Sequence, residues 1–570
     1  MRRTLLTLLL ALPVAASGQV SPKSSQSLPR EIRREVVTRW NASNTSGVRA
    51  ADKLELEAGR DVNGDVSVLH GPLIIGGHVS GNVLAVNADV TLRATAHIDG
   101  DVLIVGGQLD RSASAHVDGS IRIYRQPLAL REDGDKIAAL DDDIPDEDSW
   151  WRRLEQRTRS DSRSEFLRIV QAGPYNRAEG LPIELGPLVQ RPTPWGSVRF
   201  NTAAMLRTAT SFSSERSDVG QRLRGEVRFG HDHGIGVGAG AYNIVDGVET
   251  WQLSDLETAL AAFISRRDYR DYFARHGASG YVTAFGDHDL NVSGSFAVER
   301  WSSRVARNPF SILNGEHAWR ENPSMDEGLF HIATIRASLD TRTDPVDPWS
   351  GWFASADVEH GAGTQTSIAP TSFPRLNPLG PVTYTRAFVD LRRYNRLSPT
   401  EQLNMRLVAG GWVGGDPLPL ERRLSVDGPA ALPGFDFRSG RAGPDVGTCN
   451  DPPVLPSRPA ECDRILLTQI EYRGDLPLDL FSSWEDWPFR FRGAHGAATW
   501  VLFADAGRGW KVGTPSDGIT YSRGALPPLS TFRADLGLGL DLSIIGVYAA
   551  KSVSTPAEPI NYFVRLRHRF

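Results

Sequence analysis

Histidines set beside aspartates are the residues of this chain best suited to chemistry. His231-Asp232-His233 and Asp287-His288-Asp289 place imidazoles next to carboxylates, the ingredients of metal binding or acid–base catalysis. Both triplets adjoin a glycine and lie between alternating apolar segments, where Gly, Asp and His build turns. Turns are therefore the expectation. No G-x-S-x-G elbow, H-E-x-x-H helix or P-loop occurs in the sequence. The chain is read as a non-enzyme with no cofactor and no metal. His78, His97 and His116 recur at a spacing of 19 residues and would stack a strand spacing apart, but they read as corner residues facing water. Cys449 and Cys462, the 2 cysteines of the chain, end the polar, Pro-rich run GTCNDPPVLPSRPAEC. With no His pair nearby, a local disulfide is expected there rather than zinc. Asp505 stands between apolar residues of an alternating run and so needs a cationic partner in a polar interior.

These residues must be held by something large. The 570 residues include 55 Gly and 36 Pro, carry a net charge of -5 and are 40% hydrophobic. That balance excludes a disordered chain and a general nucleic-acid binder. A mean hydropathy of -0.29 excludes a polytopic helical membrane protein. It does not exclude a membrane barrel, which is apolar only at alternate positions. Residues 1–19 read as a secretory signal: Arg2 and Arg3, an apolar run from Thr4 to Leu12, Pro13, then small residues.

Residues 58–125 repeat. HVSGNVLAV starts at His78, HIDGDVLIV at His97 and HVDGSIRIY at His116, with a partial copy, VNGDVSV, from Val62. One glycine turn per 19 residues, followed by alternating aliphatics, describes the coils of a β-solenoid, which must stack to bury their inward side chains. Residues 20–57 precede it as an N-terminal segment. Residues 126–173 form an acidic linker with a short polar helix, nine acids falling between Glu132 and Asp148.

From 174 to 570 the pattern changes to segments of about ten residues that alternate at period two, separated by Gly, Pro, Asn and Asp clusters. Such segments predict an all-β chain: a transmembrane antiparallel barrel of about 16 strands. The last segment is the clearest. Tyr562, Val564, Leu566, His568 and Phe570 share one face; Phe563, Arg565, Arg567 and Arg569 share the other. The arginines must face a polar lumen, which leaves the even face, ending in Phe570, for lipid.

Four ordered motifs resemble the bacterial surface antigen family, the BamA/TamA-type outer-membrane assembly factors. They are LDTRTDPVDPWSGW (339–352), ALPGFDFRSG (431–440), VLFADAGRGW (501–510) and the closing hairpin from 536 onward. PYNRAEGLPIELGP (174–187) resembles the first strand of related barrels, and the 58–125 repeat resembles a bactofilin-type β-helix. The resemblance implies that Asp340, Arg342, Pro345, Pro348 and Gly351 form a turn on the periplasmic rim. Asp340 and Arg342 are read as pointing to opposite faces. It also implies that Pro433, Gly434 and Phe435 sit on a loop folded into the lumen, and that Asp505 and Gly507 lie on a lumen-facing strand. The family's loop carries an arginine that binds the strand aspartate. Here Pro433 holds that place, and Arg438 or Arg441 is the substitute to test. The family's POTRA modules have no counterpart before residue 174, where the solenoid stands instead.

The function implied is insertion or translocation of polypeptides, or of lipid, at the outer membrane, beside an edge formed near Gly180–Val189 and Tyr562–Phe570. A passive channel or structural anchor is the alternative. The expected partners are outer-membrane lipid, unfolded barrel proteins or other polypeptides, and a periplasmic partner or second copy at the solenoid, with no nucleic acid.

Overall fold

The computed structural model describes residues 28, 30–41, 47–128, 130–133, 136–139, 166–209, 219–230, 233–286, 290–313, 318–342, 348, 350–369, 379–398, 401–438, 445–450, 459–476, 498–542, 545–566 and 569–570. The signal-like 1–19, His231-Asp232, Asp287-His288-Asp289, Pro345 and residues 140–165 lie outside them.

The repeat folds as a three-faced parallel solenoid that starts at Val48, before the first recognisable copy of the repeat. One face stacks Val48–Ala50, Val66–Leu69, Val83–Val86, Val102–Val105 and Ile121–Tyr124. The second runs from Leu54–Leu56 to Leu109–Arg111, and the third from Asp61–Val62 to His116–Val117. The repeat glycine is there because adjacent corners nearly touch: a Cβ on Gly100 would lie 2.6 Å from the carbonyl oxygen of Gly81 in the coil before. A side-chain ladder fixes the register. Asn82 Oδ1 accepts from the Asp101 N–H at 3.0 Å, and Asp101 Oδ1 from the Ser120 N–H at 2.8 Å.

The first face is buried on both sides. Val83, Ala85, Val102 and Ile104 fill the solenoid core. Leu84, Val86, Leu103 and Val105 point outward into a second apolar layer with Ile32, Val36 and Trp40. Those residues come from helix α1 (Arg30–Asn41), which Arg122 anchors by its 2.9 and 2.6 Å bonds to Glu35. The Arg122 hydrogen bonds hold the Glu35 carboxyl below its ordinary range.

The barrel strands are β1 (Phe166–Ala172), β2 (Pro182–Thr193), β3 (Gly196–Arg207), β4 (Val219–Phe229) and β5 (Gly234–Gly247). Next come β6 (Tyr272–Phe285), β7 (Leu290–Ser303), β8 (Glu327–Asp340), β9 (Gly351–Ser367), β10 (Gly380–Ser398) and β11 (Glu401–Gly415). The last five are β12 (Arg464–Asp475), β13 (Thr499–Val512), β14 (Arg533–Leu542), β15 (Ile545–Ser552) and β16 (Ile560–Leu566). Each of the sixteen pairs antiparallel with the next; Thr520–Tyr521 adds a two-residue parallel strand beside β13. The sheet thus begins in the stretch read as linker: Phe166–Ala172 is its first strand, and the first-strand motif at 174–187 leads into the second.

Alternation sorts the two faces as a membrane barrel requires. On β13, Val501 and Phe503 are buried whereas Leu502 between them is 52% exposed. Ile235, Val282, Phe296, Ile335, Val358 and Leu538 continue the exposed apolar wall, and Glu299, Glu359, Asp390, Arg406, Glu471 and Asp505 are buried on the opposite face. Strand direction defines two ends. The short turn 194–195 and the β4–β5 and β10–β11 connections lie at the end where β1 enters; the β5–β6, β7–β8 and β11–β12 connections lie at the other. The Asp89–Arg396 ion pair, 3.1 Å, joins the solenoid to β10 near the turn end.

Candidate functional site

Two long connections fold into the space the sheet surrounds. The first, 416–463, joins β11 to β12 and is held together by the Cys449–Cys462 disulfide, with a Cα–Cα distance of 4.9 Å. An apolar knot of Leu424, Val426, Leu432, Phe435 and the disulfide packs on Val408, Ile465 and Leu467. The disulfide lies against β13 at Gly509, where a Cβ would come within 2.1 Å of Cys462 Sγ.

The reach of this connection shows that the sheet is rolled. Arg422 bonds Glu359 of β9 at 2.7 Å and stacks over Trp301 of β7 at 4.4 Å. Gln469 of β12 donates to the Ala430 and Ala431 carbonyls at 3.2 and 3.1 Å. The Gly434 N–H donates to Asp535 of β14 at 2.8 Å, and Asn561 of β16 donates to the Pro433 carbonyl at 3.1 Å. One segment touches strands from β7 to β16 only when they curve around it.

Pro433, Gly434 and Phe435 therefore lie in the lumen. Gly434 has no room for a side chain, since a Cβ would lie 2.5 Å from Asp535 Cβ. Phe435 is buried beneath the Arg533 guanidinium, 4.8 Å away. Arg438 does not reach Asp505. Its backbone N–H donates to Asp427 at 2.9 Å, and its guanidinium donates to Asp271 at 3.3 Å. Arg441 lies outside the described residues. The partner of Asp505 is Arg569, which also covers the Phe503 ring at 3.6 Å. Asp505 and Asp535 are cross-strand neighbours, so Arg569 and the Gly434 N–H offset two facing carboxylates. Gly507 lies two residues further along β13, paired with Leu467.

The second connection, 248–271, carries helix α2 (Asp255–Ser265). Ser254 and Glu257 form a capping box, and Arg270 bonds Asp255 at 2.5 Å beside the first turn. Arg406 of β11 donates to the Trp251 carbonyl at 3.2 Å. Glu257 accepts from Arg565 Nε at 2.6 Å and from the Leu566 N–H at 3.1 Å, so α2 grips the last strand. The two connections also hold each other. Glu249 accepts from Ser425 Oγ at 2.8 Å, and Gln252 donates to Ser425 at 3.2 Å. Burial pushes the Glu249 carboxyl up to about 8. Across the loop end, Arg177 pairs with Asp268 at 3.3 Å and Asp271 at 3.0 Å. Arg320 adds a 2.6 Å pair to Asp271. The lumen is filled at that end by ion-paired loops.

The outer ring of the site is the seam. Among the described residues no backbone pairing joins β1 to β16. On β16, Tyr562 and Val564 face outward at 73% and 60% exposure, while Arg565 is buried. Leu566 is the last described residue of the strand. Arg569 turns into the lumen, and Phe570 lies 6.5 Å from Tyr394 rather than on the lipid face.

The Asp340–Gly351 motif closes the β8–β9 turn at the turn end. Asp340 and Arg342 do not face apart. Two residues apart in a pleat share a face, and Arg342 Nε donates to Asp340 at 2.7 Å while its guanidinium covers Phe353 at 4.7 Å. Gln402 donates to the Pro348 carbonyl at 2.5 Å, and Gly351 adopts φ +115°. His233 leads into β5 at the same end.

The fold and site together define a class: an antiparallel barrel, of sixteen antiparallel strands among the described residues, with loops packed into a polar lumen and a parallel solenoid before it. No protein-family model matches the sequence, and no curated protein sequence matches it. Among solved structures the chain is similar to BamA from Haemophilus ducreyi lacking POTRA domains 1–3. That match has 12% identity over 73% of this chain and 76% of that one, with a TM-score of 0.40. It is also similar to CdiB from Acinetobacter baumannii, at 10% identity over 70% and 58% of the two chains, TM-score 0.29. CdiB from Escherichia coli matches at 10% identity over 73% and 70%, TM-score 0.29. These scores are too low to transfer a property of either protein.

Proposed function

We propose that this protein sits in the outer membrane and assists the insertion or translocation of polypeptides, or of lipid, beside its own barrel wall. One observation carries the reading: ion-paired loops occupy the lumen while, among the described residues, no backbone ladder joins the first strand of the sheet to the last. A filled lumen is a poor path for solute. An unpaired strand edge is a template that another strand can extend. The apolar outer wall supports a lipid environment, and the secretory signal read in residues 1–19 supports export. The turn end, where β1 enters and the solenoid touches β10, is then the periplasmic side. There the solenoid serves as a docking module for a periplasmic partner or a second copy.

Reconstitution tests the role. Vesicles holding the protein should fold an added urea-unfolded barrel protein faster than empty vesicles do. Equal folding rates, together with a steady conductance across planar bilayers, would instead make it a passive channel.

A further inference from the structure

Each coil of the solenoid's third face carries two outward side chains around one inward one. His78 and Ser80 flank Val79, and His97 and Asp99 flank Ile98. Val79 and Ile98 are fully buried at 0% exposure, which fixes the direction of the outward pairs. His78 and His97 are register partners on adjacent parallel rungs. The His97 N–H donates to the Gly77 carbonyl at 3.1 Å and the Asp99 N–H to the Val79 carbonyl at 3.0 Å, so the backbone is pinned on both sides of Ile98.

Three side chains converge as a result. His78 Nε2 lies 2.9 Å and His97 Nε2 3.1 Å from the same oxygen, Asp99 Oδ1. One ligand atom from each residue lies within 4.8 Å of the others. A tetrahedral ion with bonds of about 2.0–2.1 Å separates its donors by roughly 3.3 Å, and the two nitrogen–oxygen separations lie within a few tenths of an ångström of that.

We propose that His78, His97 and Asp99 bind a divalent first-row transition ion of the zinc class, with water in the remaining position. Two imidazoles and a carboxylate suit such an ion; calcium and magnesium require oxygen donors. Asp99 Oδ1 is the nearest carboxylate oxygen to both rings; Asp61 Oδ1 lies further out at 3.9 Å from His78 Nδ1, and Asp118 Oδ2 at 3.7 Å from His97 Nε2. His116 stands one rung further on and pairs with Asp118 at 2.8 Å, outside this group. The ion would link two coils 19 residues apart in the sequence and rigidify the solenoid.

The probe is Zn²⁺ alone, titrated by calorimetry into the full-length protein in detergent, stripped with chelator and free of any affinity tag. Near about pH 7.5, where imidazole is neutral, one saturable site is expected, and it should empty below about pH 6. His97→Ala and Asp99→Asn should each weaken binding at least about tenfold, and His116→Ala less than about threefold. Zinc should raise the thermal midpoint of the wild type but not of His97→Ala. The proposal is overturned if the wild type shows no saturation below about 100 µM, a free energy of about 5.5 kcal/mol. It is equally overturned if His97→Ala and Asp99→Asn bind like the wild type, or if His116→Ala loses binding to the same extent.

Discussion

Replacing Glu257 by alanine should loosen the grip of α2 on the last strand. The carboxylate accepts from Arg565 Nε at 2.6 Å and Nη2 at 3.3 Å, and from the Leu566 N–H at 3.1 Å. It also accepts from Ser254 Oγ at 2.9 Å and the Ser254 N–H at 3.3 Å. The Arg565 and Glu257 side chains are only 6% and 8% exposed. Removing one member of a buried pair leaves the other charge stranded, at about 3–5 kcal/mol. Loss of the capping box adds about 0.5–2 kcal/mol. Allowing for water entering the gap, Glu257→Ala should cost at least about 3 kcal/mol. Glu257→Gln keeps acceptors for the cap and should cost about 1–3 kcal/mol. Replacing both partners, Glu257→Leu with Arg565→Met, should recover most of the loss, because no charge is left buried. Unfolding in urea, followed in detergent, measures these costs, and limited proteolysis within 248–271 reports release of the helix. The reasoning is refuted if Glu257→Ala lies within about 0.5 kcal/mol of the wild type, or if the two single costs simply add in the double variant.

Glu257 also sets a pH dependence. Burial disfavours its charge, but the Arg565 charge and the hydrogen bonds outweigh burial and hold the carboxyl below its ordinary range. The folded pKa is the lower one, so the stabilisation is fully present above the unfolded value of about 4.3. It is lost as pH falls through the folded pKa, and α2 should detach from β16 in acid before the sheet unfolds.

Arg569→Ala should strand Asp505 opposite Asp535 and lower the unfolding midpoint by the equivalent of about 3 kcal/mol; adding Asp505→Asn should restore most of it. A double-mutant cycle between Arg438 and Asp505 should show no coupling, and a coupling above about 1 kcal/mol would reinstate the pairing expected from sequence. Gly434→Ala should displace the loop tip from Asp535, at about 1–3 kcal/mol, and expose 416–463 to protease. Replacing Cys449 and Cys462 together by serine should cost about 2–4 kcal/mol, with cleavage mapped by mass spectrometry to the opened loop.

Much of the fold was legible because period-two alternation survives in single segments. Tyr562 and Val564 against Phe563 and Arg565 show this, as does Leu502 between Val501 and Phe503. The solenoid was legible from its 19-residue glycine spacing, but its first coil was not, since Val48–Ala50 lacks the repeat. Phe166–Ala172 was hidden by the charged stretch before it, which resembles a linker. Helix α2 carries a readable signal, since Ser254-x-x-Glu257 ahead of an apolar run is a capping box, set inside a segment otherwise dominated by barrel alternation. The partner of Asp505 was out of reach. Arg569 is 64 residues away, and local spacing favoured an arginine already on the loop. The Asp99 cluster is hidden for the opposite reason: the 19-residue period points each histidine to the next one, whereas the third ligand is the aspartate two residues along the same face.

The most direct test of the central claim is depletion of this protein from its host, with the outer-membrane proteome quantified alongside solute permeability. Broad loss of other barrel proteins at unchanged permeability is the expected result. An intact set of barrel proteins with altered permeability would contradict it.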